Sequence, residues 1–333
     1  MKMLVTGAGG FLGINLLERL LSSGHNVCAI SDRPLEPVAL HAFAPLPGSL
    51  EIVTADVRDR SAVCEALSAF RPEAVLHAAA ITLGPQARLA SAERTLSVNT
   101  LSTQILLEEA AQAGVRRFVY PSSSAVYGPA PFAGPVAEAT ETAPAGLYGY
   151  SKLASELLVA EAGRSRGLET ACARITALFG PWEHDTGVRE TLSPPWQVAM
   201  RIKRKESIRL PDGGARDWTS GRDIAKCLEI LLQAETLPHR IYNLSLGAVW
   251  TPHLLCAAMG VEPGHIERED PLEVAYNDDL SKSRNPVSGA RFAEDFGFQF
   301  MTPAEACADY AAWLDTNAGQ GMVRQTTPDG VPK

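Results

Sequence analysis

The sequence predicts an α/β protein in which a doubly wound parallel sheet is followed by a smaller, irregular substrate-binding region. Short apolar runs alternate with segments of helical periodicity over residues 1–174, a pattern typical of parallel strands joined by helices. Over residues 175–317 the regularity breaks, and loops containing Pro and Gly separate shorter elements. Residues 318–333 lack apolar periodicity, so we expect a disordered tail there.

Six strands are expected to alternate with helices in the first region. The strand segments are, in chain order, MKMLVTG, NVCAISD, LEIVTAD, EAVLHAAA, RRFVYPSSS and ETACARI. Helical periodicity marks FLGINLLERLLSSG, SAVCEALSAF, TLSVNTLSTQILLEEAAQAG and the segment that begins LYGYSKLASELL. Such an alternation indicates βαβ units, whose helices cover both faces of a parallel sheet.

Composition and charge narrow the classes of partner. The formal net charge of −8 offers no basic surface for nucleic acid. No apolar stretch approaches the roughly 20 residues that a membrane-spanning helix requires, and the N-terminus begins directly with a strand rather than a leader. The six cysteines lack C-x-x-C spacing, and neither H-E-x-x-H nor a Cys/His cluster occurs. We therefore expect a cytoplasmic protein with reduced thiols and no metal site.

The segment VTGAGGFLG carries three glycines, Gly7, Gly10 and Gly13, between the first strand and the first helix. Glycine allows a backbone to turn tightly and to approach a pyrophosphate closely. The helix that follows starts with Phe11 and Leu12, and its first N–H groups and positive dipole end would face the same anion. This strand–turn–helix context predicts binding of a dinucleotide.

Acidic residues follow the second and third strands. A carboxylate at Asp32 would accept hydrogen bonds from an adenosine ribose and repel a 2′-phosphate, which favours NAD. Arg33 directly follows and would attract that phosphate, so NADP stays possible, and Asp32 is alternatively a turn residue. Asp56 and Val57 follow the third strand, within reach of the adenine; the alternative for Asp56 is a cap on the next turn.

The segment LYGYSK places Tyr148 four residues before Lys152 at the start of a predicted helix. Residues four apart lie on one face of a helix, one turn apart. A neighbouring lysine favours the phenolate and lowers the pKa of a tyrosine, as a catalytic base near neutral pH requires. The pattern is short, and an ordinary surface pair would produce it as well.

Taken in their order, T-G-x-x-G-x-x-G, HAAA, VNT, SSSAVYG and YGYSK resemble the extended short-chain dehydrogenases, specifically the NAD-dependent epimerase/dehydratase family. The resemblance covers roughly residues 1–300. It implies a Rossmann-type domain that binds NAD, a catalytic Tyr148 and Lys152, and a small sugar-like substrate. Because the family commonly dimerises, it also implies a homodimer formed through the helices at 97–113 and 148–166.

In that family a serine or threonine four residues before the tyrosine of V-Y-G completes the site, which identifies Ser123. The resemblance implies that Ser123 hydrogen-bonds the substrate oxygen and that Tyr148 exchanges the proton. Lys152 would hold the nicotinamide ribose and keep Tyr148 acidic. Ser124 is the alternative to Ser123 in this role, and is otherwise expected to contact the substrate.

The resemblance also implies that Ala78 and Ala79 line the cofactor after His77, because small residues there let it lie against the backbone. His77 itself is more simply a packed strand residue than a catalytic one. Asn99 is assigned to the cofactor site, where it would order a helix or a water near Lys152; a purely structural amide is the alternative.

Two departures from the family's patterns bear on the reaction. Its 4,6-dehydratases carry an Asp–Glu pair where this chain has Ser124 and Ala125, so dehydration is not expected. Its UDP-sugar epimerases hold a nucleotide diphosphate with an amide where this chain has Ala177. The paired asparagines expected further on are also absent, with Thr191 near their position.

Four residues are left as candidates for a substrate pocket. Arg216 lies in a segment similar to the family's R-D-[YF] and would grip a phosphate or carboxylate; a salt bridge to one of the nearby aspartates, Asp217 or Asp223, is the alternative. The loop FGPWEHDTGVRE adds residues that would line a pocket for a polyol or sugar acid, unless they are ordinary surface residues: Trp182, His184 and Arg189.

We interpret the chain as an NAD-linked oxidoreductase that oxidises a secondary alcohol of a sugar-like substrate without a nucleotide handle. Net dehydrogenation and internal epimerisation use the same three residues, so both stay open. The alternative is an epimerase of the UDP-sugar 4-epimerase type. A more remote one is a regulator that senses NAD(H) without chemistry.

Overall fold

The computed structural model describes residues 1–82, 92–129, 134–185, 192–266, 273–276 and 285–325. Arg189 and Thr191 therefore lie outside the described residues. The strands in the described part of the chain are β1 (Lys2–Thr6), β2 (Asn26–Ser31), β3 (Ser49–Thr54), β4 (Ala74–His77), β5 (Arg117–Ser123), β6 (Glu169–Ile175), β7 (Ala177–Phe179), β8 (Arg209–Pro211), β9 (Trp218–Ser220), β10 (Ile241–Leu244) and β11 (Gly264–Ile266).

Helices connect these strands. They are α1 (Phe11–Ser22), α2 (Pro37–Phe43), α3 (Arg60–Phe70), α4 (Ala92–Leu96), α5 (Ser102–Gln112), α6 (Leu147–Ser165), α7 (Pro194–Lys203), α8 (Gly221–Gln233), α9 (His253–Ala258), α10 (Ala290–Phe296), α11 (Pro303–Leu314) and α12 (Asn317–Gln325). A π-helical turn, Ser97–Leu101, joins α4 to α5, and a 3₁₀ turn, Ser124–Tyr127, follows β5. None of the helices described is long and apolar enough to cross a membrane.

A seven-stranded sheet in the order β10-β6-β5-β4-β1-β2-β3 forms the centre of the molecule. Every neighbouring pair in it is parallel. The strand order reverses between β1 and β4, and in open α/β sheets ligands bind outside the carboxyl ends of the strands at such a point. The predicted parallel α/β architecture is therefore confirmed.

Helices cover both faces of this sheet, which is why its central strands are apolar throughout rather than alternating. On one face α3, α5 and α6 pack against the strands, with Leu107 and Val159 among the buried residues. On the other face α1 and α8 do so, with Leu17 and Leu228 in the core. The carboxyl ends of the strands are thus framed by helices on either side.

The region after residue 175 contributes one strand to the central sheet. Its β10 pairs with β6 as the seventh strand of the central sheet, and its α8 packs on α1. The rest of the region forms two small parallel pairs, β7 with β9 and β8 with β11, together with α7 and the helices from α9 onward. One short element of this Pro- and Gly-rich region is therefore a strand of the central sheet.

The tail expected to be disordered over residues 318–333 begins instead as a helix, α12. This helix packs against α2 and α11, and Met322 is buried in the main core. A Cβ added to Gly321 would lie 2.5 Å from Val38 Cγ2, so a glycine permits this close approach. The partly buried Ala318 and Val323 pack against the same core as Met322 and help to dock the helix. Residues 326–333 lie outside the described part of the chain.

Candidate functional site

The glycine loop between β1 and α1 is pressed against the end of β4. Gly7 has a φ of +68°, a backbone conformation that favours glycine. A Cβ added to Gly7 would lie 2.5 Å from the nitrogen of Ala79, and one added to Gly13 would lie 2.2 Å from the carbonyl oxygen of Gly7. Both distances are too short for any side chain, so the glycines at these positions are required by the loop's own packing.

The same loop presents the start of α1 as an anion site. Gly10 occupies the N-cap position, and no side chain caps the helix there. The first N–H groups of a helix have no acceptor within the helix, and here they belong to Phe11, Leu12 and Gly13. Free N–H groups at the positive end of a helix dipole suit a phosphate, so this cradle fits the pyrophosphate of a dinucleotide.

A buried histidine of β4, His77, links the end of β1 to the start of α5. His77 Nδ1 lies 2.7 Å from Thr6 Oγ1, and its Nε2 lies 3.1 Å from Ser102 Oγ. Since Ser102 Oγ donates its own proton to the carbonyl of Val98, it accepts from His77 Nε2–H, and Nδ1 then accepts from Thr6. Burial, and to a smaller extent the charge of Lys152, lower the pKa of His77 to about 3.

His77 is therefore a neutral, structural residue, as the sequence favoured. Its partner Thr6 Oγ1 also accepts a hydrogen bond from the nitrogen of Ala79 at 3.3 Å. These contacts tie the end of β4, with Ala78 and Ala79, to the end of β1. They hold the two strand ends that border the glycine loop at one fixed spacing.

The acidic residues after β2 and β3 lie at adjacent strand ends. Asp32 is exposed and pairs with Arg33 at 3.2 Å. Asp56 accepts from Arg58 at 2.6 Å and from its backbone nitrogen at 2.9 Å, which confirms the turn-capping alternative for this residue. The guanidinium of Arg58 holds the pKa of the Asp56 carboxyl below its usual value. Val57 is buried beside it.

Lys152 lies on α6 with its side chain in the interior, where only 3% of the residue is exposed. Its Nζ donates to the carbonyl oxygen of Pro121 at 2.8 Å. It also lies 4.7 Å from the centre of the Tyr120 ring and 5.8 Å from that of Tyr148. Burial lowers the pKa of Lys152 from 10.5 to about 8, and Glu156 opposes this shift. A cation held beside Tyr148 favours its phenolate form.

The amide of Asn99, in the π-helical turn, clamps three segments together. Its Oδ1 accepts from the nitrogen of Ile81 at 2.7 Å, and its Nδ2 donates to the carbonyl of Ile81 and to Ser151 Oγ, each at 3.0 Å. Ser151 Oγ in turn donates to the carbonyl of Tyr148 at 2.8 Å. The structural role left open for Asn99 is thus realised, since it fixes the first turn of α6 against the chain that follows β4.

Ser123 ends β5 and caps the 3₁₀ turn that follows. Its half-buried Oγ accepts from the nitrogen of Ala125 at 3.2 Å, which leaves the hydroxyl proton for another acceptor. Ser124 begins the 3₁₀ turn and is also partly buried. Because successive strand residues point to opposite faces, Ser122 points the other way, where it donates to Glu156 Oε1 at 2.5 Å.

Arg216 lies just before β9, in the later region of the chain. Only 6% of it is exposed, and its backbone pairs with that of Trp250 at 3.0 Å in both directions. The two aspartates considered as its partners engage elsewhere: Asp217 accepts from Ser245 at 2.8 Å, and Asp223 pairs with Lys226 at 3.1 Å. Burial raises the pKa of Asp217 to about 6.

The prediction that Trp182 lines a substrate pocket is wrong. Trp182 is fully buried, and its ring packs edge-on against Phe43 and Trp313, while its Nε1 donates to Glu18 at 3.0 Å. A large aromatic ring in a Pro- and Gly-rich loop gained more by entering the core than by facing solvent. His184 is also buried and contacts the carbonyl of Trp182 at 2.9 Å, so it belongs to the same packed loop.

Sequence reasoning missed the residues that support Lys152. Tyr120 and Pro121 precede the serines of β5, and the alternation along the strand puts Tyr120 and Ser122 on the face toward α6. That alternation was the available signal. Glu156 was also missed, although the spacing of four residues from Tyr148 to Lys152 continues to it on the same helix face.

Comparison with known proteins places the chain in a well-populated group. A family model described as the NAD dependent epimerase/dehydratase family matches residues 3–245. A UDP-glucose 4-epimerase of Mycolicibacterium smegmatis is 32% identical over 188 residues, which cover 56% of this chain and 59% of that protein. The chain thus spans little more than half the length of that relative, and the match to another curated relative covers 41% of its length.

Solved structures share the whole fold. A structure of MoeE5 in complex with UDP-glucuronic acid and NAD has a TM-score of 0.75 and 27% identity, and the match covers 94% of this chain and 98% of MoeE5. The UDP-glucose 4-epimerase of Thermotoga maritima, solved with UDP-glucose, has a TM-score of 0.77 over 94% of this chain and 98% of that one. At 22% identity, the second likeness concerns the fold alone.

Proposed function

This chain belongs to the NAD dependent epimerase/dehydratase family, and on that premise we propose that it transfers a hydride at a secondary alcohol or ketone of a sugar-like substrate, without a nucleotide handle. One observation carries the proposal. The buried ammonium of Lys152 lies 5.8 Å from the ring of Tyr148, on a helix that borders the carboxyl ends of β4 and β5. This arrangement provides a proton-transfer group next to a dinucleotide cradle.

The residues present fit NAD, the cofactor of the family. Gly7 and Gly13 let the loop pack closely on itself and on the end of β4, and the start of α1 that this loop presents supplies N–H donors to a pyrophosphate. Asp32, at the end of β2, is the acceptor for the adenosine ribose. Arg33 pairs with Asp32, so its charge is partly neutralised and NAD is favoured over NADP. When bound, the nicotinamide accepts a hydride from the substrate carbon and can return it.

The protein's own groups handle the proton. Tyr148, as phenolate, accepts the proton of the substrate hydroxyl while the carbon is oxidised, and the phenol returns it when a ketone is reduced. Lys152 stabilises the phenolate, and its hydrogen bond to Pro121 fixes the position of the charge. Ser123 donates its hydroxyl proton to the substrate oxygen, because its lone pair already accepts from Ala125.

The absence of a nucleotide handle is proposed from one position. Ala177, at the start of β7, presents an exposed methyl group where a diphosphate-binding amide would stand. Ser124 and Ala125 likewise offer no carboxylate for dehydration. Ser124 and the partly buried guanidinium of Arg216 are the substrate contacts that we retain, together with Arg189 from outside the described residues; an acidic group on the substrate would suit Arg216.

A UDP-sugar 4-epimerase is the second candidate. The named relative from Mycolicibacterium smegmatis is a UDP-glucose 4-epimerase, and MoeE5 was solved with UDP-glucuronic acid. Calorimetric titration with UDP separates the two proposals. Binding of UDP in the low micromolar range would support the epimerase and remove the claim that no handle is needed, whereas no binding at millimolar UDP supports our first candidate.

The reaction itself is tested by cofactor content and by one substitution. Freshly purified protein is denatured and the NAD(H) released per chain is counted. Near-stoichiometric release indicates a cofactor retained between turnovers, as epimerisation needs, and directs a screen of sugar epimer pairs. Little release directs a screen of sugars and sugar acids for net NADH formation.

Tyr148→Phe should lower turnover by roughly 10²–10⁴-fold, the range for losing a proton-transfer group, and spare cofactor binding. Tyr150→Phe is the matched control, since Tyr150 lies on the same helix and is exposed. Unchanged turnover in Tyr148→Phe would remove this residue from the mechanism.

We also propose a homodimer through the outer face of α4, the π-helical turn, α5 and α6. Four large apolar side chains are exposed there, and one of them, Leu157, is 64% exposed; the others are Leu96, Leu101 and Tyr150. Size-exclusion chromatography with light scattering should report twice the chain mass. Leu157→Glu should yield monomers, whereas Val249→Glu, at an exposed site elsewhere, should not. A monomeric native protein would contradict the proposal.

A further inference from the structure

A buried ion pair lies beneath the catalytic helix. Glu156 follows Lys152 by four residues on α6, so Tyr148, Lys152 and Glu156 succeed one another along one helix face. Its carboxylate receives Arg174 of β6, with Nη2 at 2.7 Å from Oε2 and Nε at 3.0 Å from Oε1. The two side chains are 5% and 4% exposed. The pair is fully inside the protein, where charges require close partners.

The same carboxylate holds the end of β5. Ser122 Oγ donates to Glu156 Oε1 at 2.5 Å. Ser122 directly precedes Ser123 in the strand, and neighbouring strand residues point to opposite faces. A contact that fixes Ser122 toward α6 therefore also sets the direction in which Ser123 points, toward the substrate side.

The far side of the pair is anchored as well. Arg174 Nη1 donates to Tyr127 Oη at 3.0 Å, and Tyr127 Oη donates to Asn243 Oδ1 at 2.6 Å. Asn243 lies in β10 and donates from its own Nδ2 to the carbonyl of Val136 at 3.2 Å. The Glu156 carboxylate is thus part of a continuous polar chain across β6 and β10, and it cannot move without breaking several hydrogen bonds.

The surroundings of Lys152 supply little other negative charge. Burial raises the pKa of the Cys172 thiol well above its usual value, and burial likewise raises the pKa of the Tyr120 phenol, so both are neutral near pH 7. His77 is neutral, and Arg174 is cationic. The titratable and charged groups that face Lys152 are Tyr148 and Glu156 of α6, Tyr120 of β5, Cys172 and Arg174 of β6, and His77 of β4.

From this geometry we infer that Glu156 is a positioning residue of the site: its carboxylate aligns the end of β5 with α6 through Ser122 and serves as the counter-charge of the Lys152 ammonium. The inference rests on the proposed function only in treating Ser123 and Lys152 as catalytic. Its physical content, a charge relation between two buried groups, is measurable without any substrate.

The experiment follows the Lys152 side chain by NMR in protein labelled with ¹³C at the lysine ε carbon. The resonance is assigned as the one missing from Lys152→Met, and its chemical shift is titrated between pH 6 and pH 11. In Glu156→Gln, which keeps an oxygen acceptor for Ser122 and Arg174, we expect the Lys152 pKa to fall by about one unit, a tenfold change in its acid dissociation constant.

Two control variants separate charge from structure. Glu229→Gln removes another buried carboxylate, which pairs with the half-exposed Arg19 at 2.5 Å on the opposite face of the sheet, and should leave the Lys152 pKa unchanged. Ser122→Ala keeps the charge and should also leave that pKa unchanged, while lowering the activity that depends on Ser123.

Glu156→Gln/Arg174→Gln removes both charges and serves if the single variant does not fold. Because the loss of Arg174 also removes a positive charge, we expect a smaller fall of the Lys152 pKa in the double variant than in Glu156→Gln. A Lys152 pKa within about 0.2 unit of the native value in whichever variant folds would overturn the inference. Because the titration needs no turnover, this result is independent of whether the proposed reaction is correct.

Discussion

The ammonium of Lys152 donates to the carbonyl oxygen of Pro121 at 2.8 Å, so the charge on helix α6 is held by the backbone of strand β5. The ring of Tyr120 supplies a second contact at 4.7 Å, in the range where a cation is attracted to an aromatic face. Both contacts come from residues that directly precede the serines of the site. To make these contacts, the charged ammonium of Lys152 must be buried away from water, which is unfavourable.

Lys152→Met should stabilise the protein while abolishing its activity. Burial lowers the pKa of Lys152 from 10.5 to about 8, so between these values the unfolded chain binds a proton that the folded protein has released. Stability therefore rises with pH across this window, and the penalty is fully present below pH 8. At 1.36 kcal/mol per pKa unit, less the lost contacts, we expect about 2–3 kcal/mol of added stability at pH 7.

Urea unfolding of both proteins between pH 7 and pH 10.5 measures this difference. The native protein should gain stability as the pH rises, and the variant should lack that part of the gain. A variant less stable than the native protein at pH 7 would mean that the bond to Pro121 outweighs the cost of burying the charge.

Gly7→Ala should lose NAD binding, whereas Gly24→Ala should keep it. Both glycines have positive φ, +68° and +75°, so both variants bear the cost of a left-handed conformation, about 1–2 kcal/mol. Only at Gly7 does the new Cβ meet the backbone, 2.5 Å from Ala79 N, while nothing lies within 4 Å at Gly24. Calorimetric titration with NAD, alongside melting curves, compares the two. Equal NAD affinity in folded forms of both variants would contradict the cradle as described.

Asn99→Ala should destabilise the protein by about 2–4 kcal/mol, since it leaves both polar groups of Ile81 without their buried partner. It should also loosen the first turn of α6, which Asn99 reaches through Ser151, and so lower turnover. Gln104→Ala removes a hydrogen bond to Glu108 at 2.8 Å within α5, and should cost less than about 1 kcal/mol. Similar losses of stability in Asn99→Ala and Gln104→Ala would show that the contacts of Asn99 do not stabilise the protein more than an ordinary hydrogen bond does.

Asp32→Ala should raise the affinity for NADP relative to NAD by roughly tenfold, about 1.4 kcal/mol. The substitution removes a charge that repels a 2′-phosphate and releases Arg33, which pairs with Asp32 in the native protein. Arg33→Ala should shift the ratio in the opposite direction. Fluorescence titration with NADH and NADPH measures it, and an unchanged ratio in both variants would exclude this strand end as the selector.

Local patterns predicted the parts of the site that depend on short spacings. The glycines of the first turn and the pair Tyr148 and Lys152 follow from loop geometry and helix periodicity, and the structure brings these segments to one edge of the sheet. The short apolar runs also located six of the seven central strands. These features need no knowledge of distant contacts.

The features that were missed depend on what a segment meets in the folded protein. The residues next to Trp182 in the sequence do not distinguish it from a pocket residue. It is buried because its ring packs against Phe43 and Trp313, which are distant in sequence. Helix α12 forms because α2 and α11 offer it a surface. The clamp by Asn99 likewise requires Ile81 and Ser151 to meet, 18 residues away and 52 residues away along the chain.

Because β10 completes the central sheet beside β6, one edge of β6 stays unpaired while the first region of the chain leaves the ribosome. This edge of β6 is paired only after Ile241–Leu244 has been synthesised. At a synthesis rate of about 5–20 residues per second, the delay is on the order of several seconds. An exposed edge of this kind is a template for pairing with another chain. A nascent chain cut short before β10 would therefore be prone to aggregate, however well its glycine loop and helix α6 had formed.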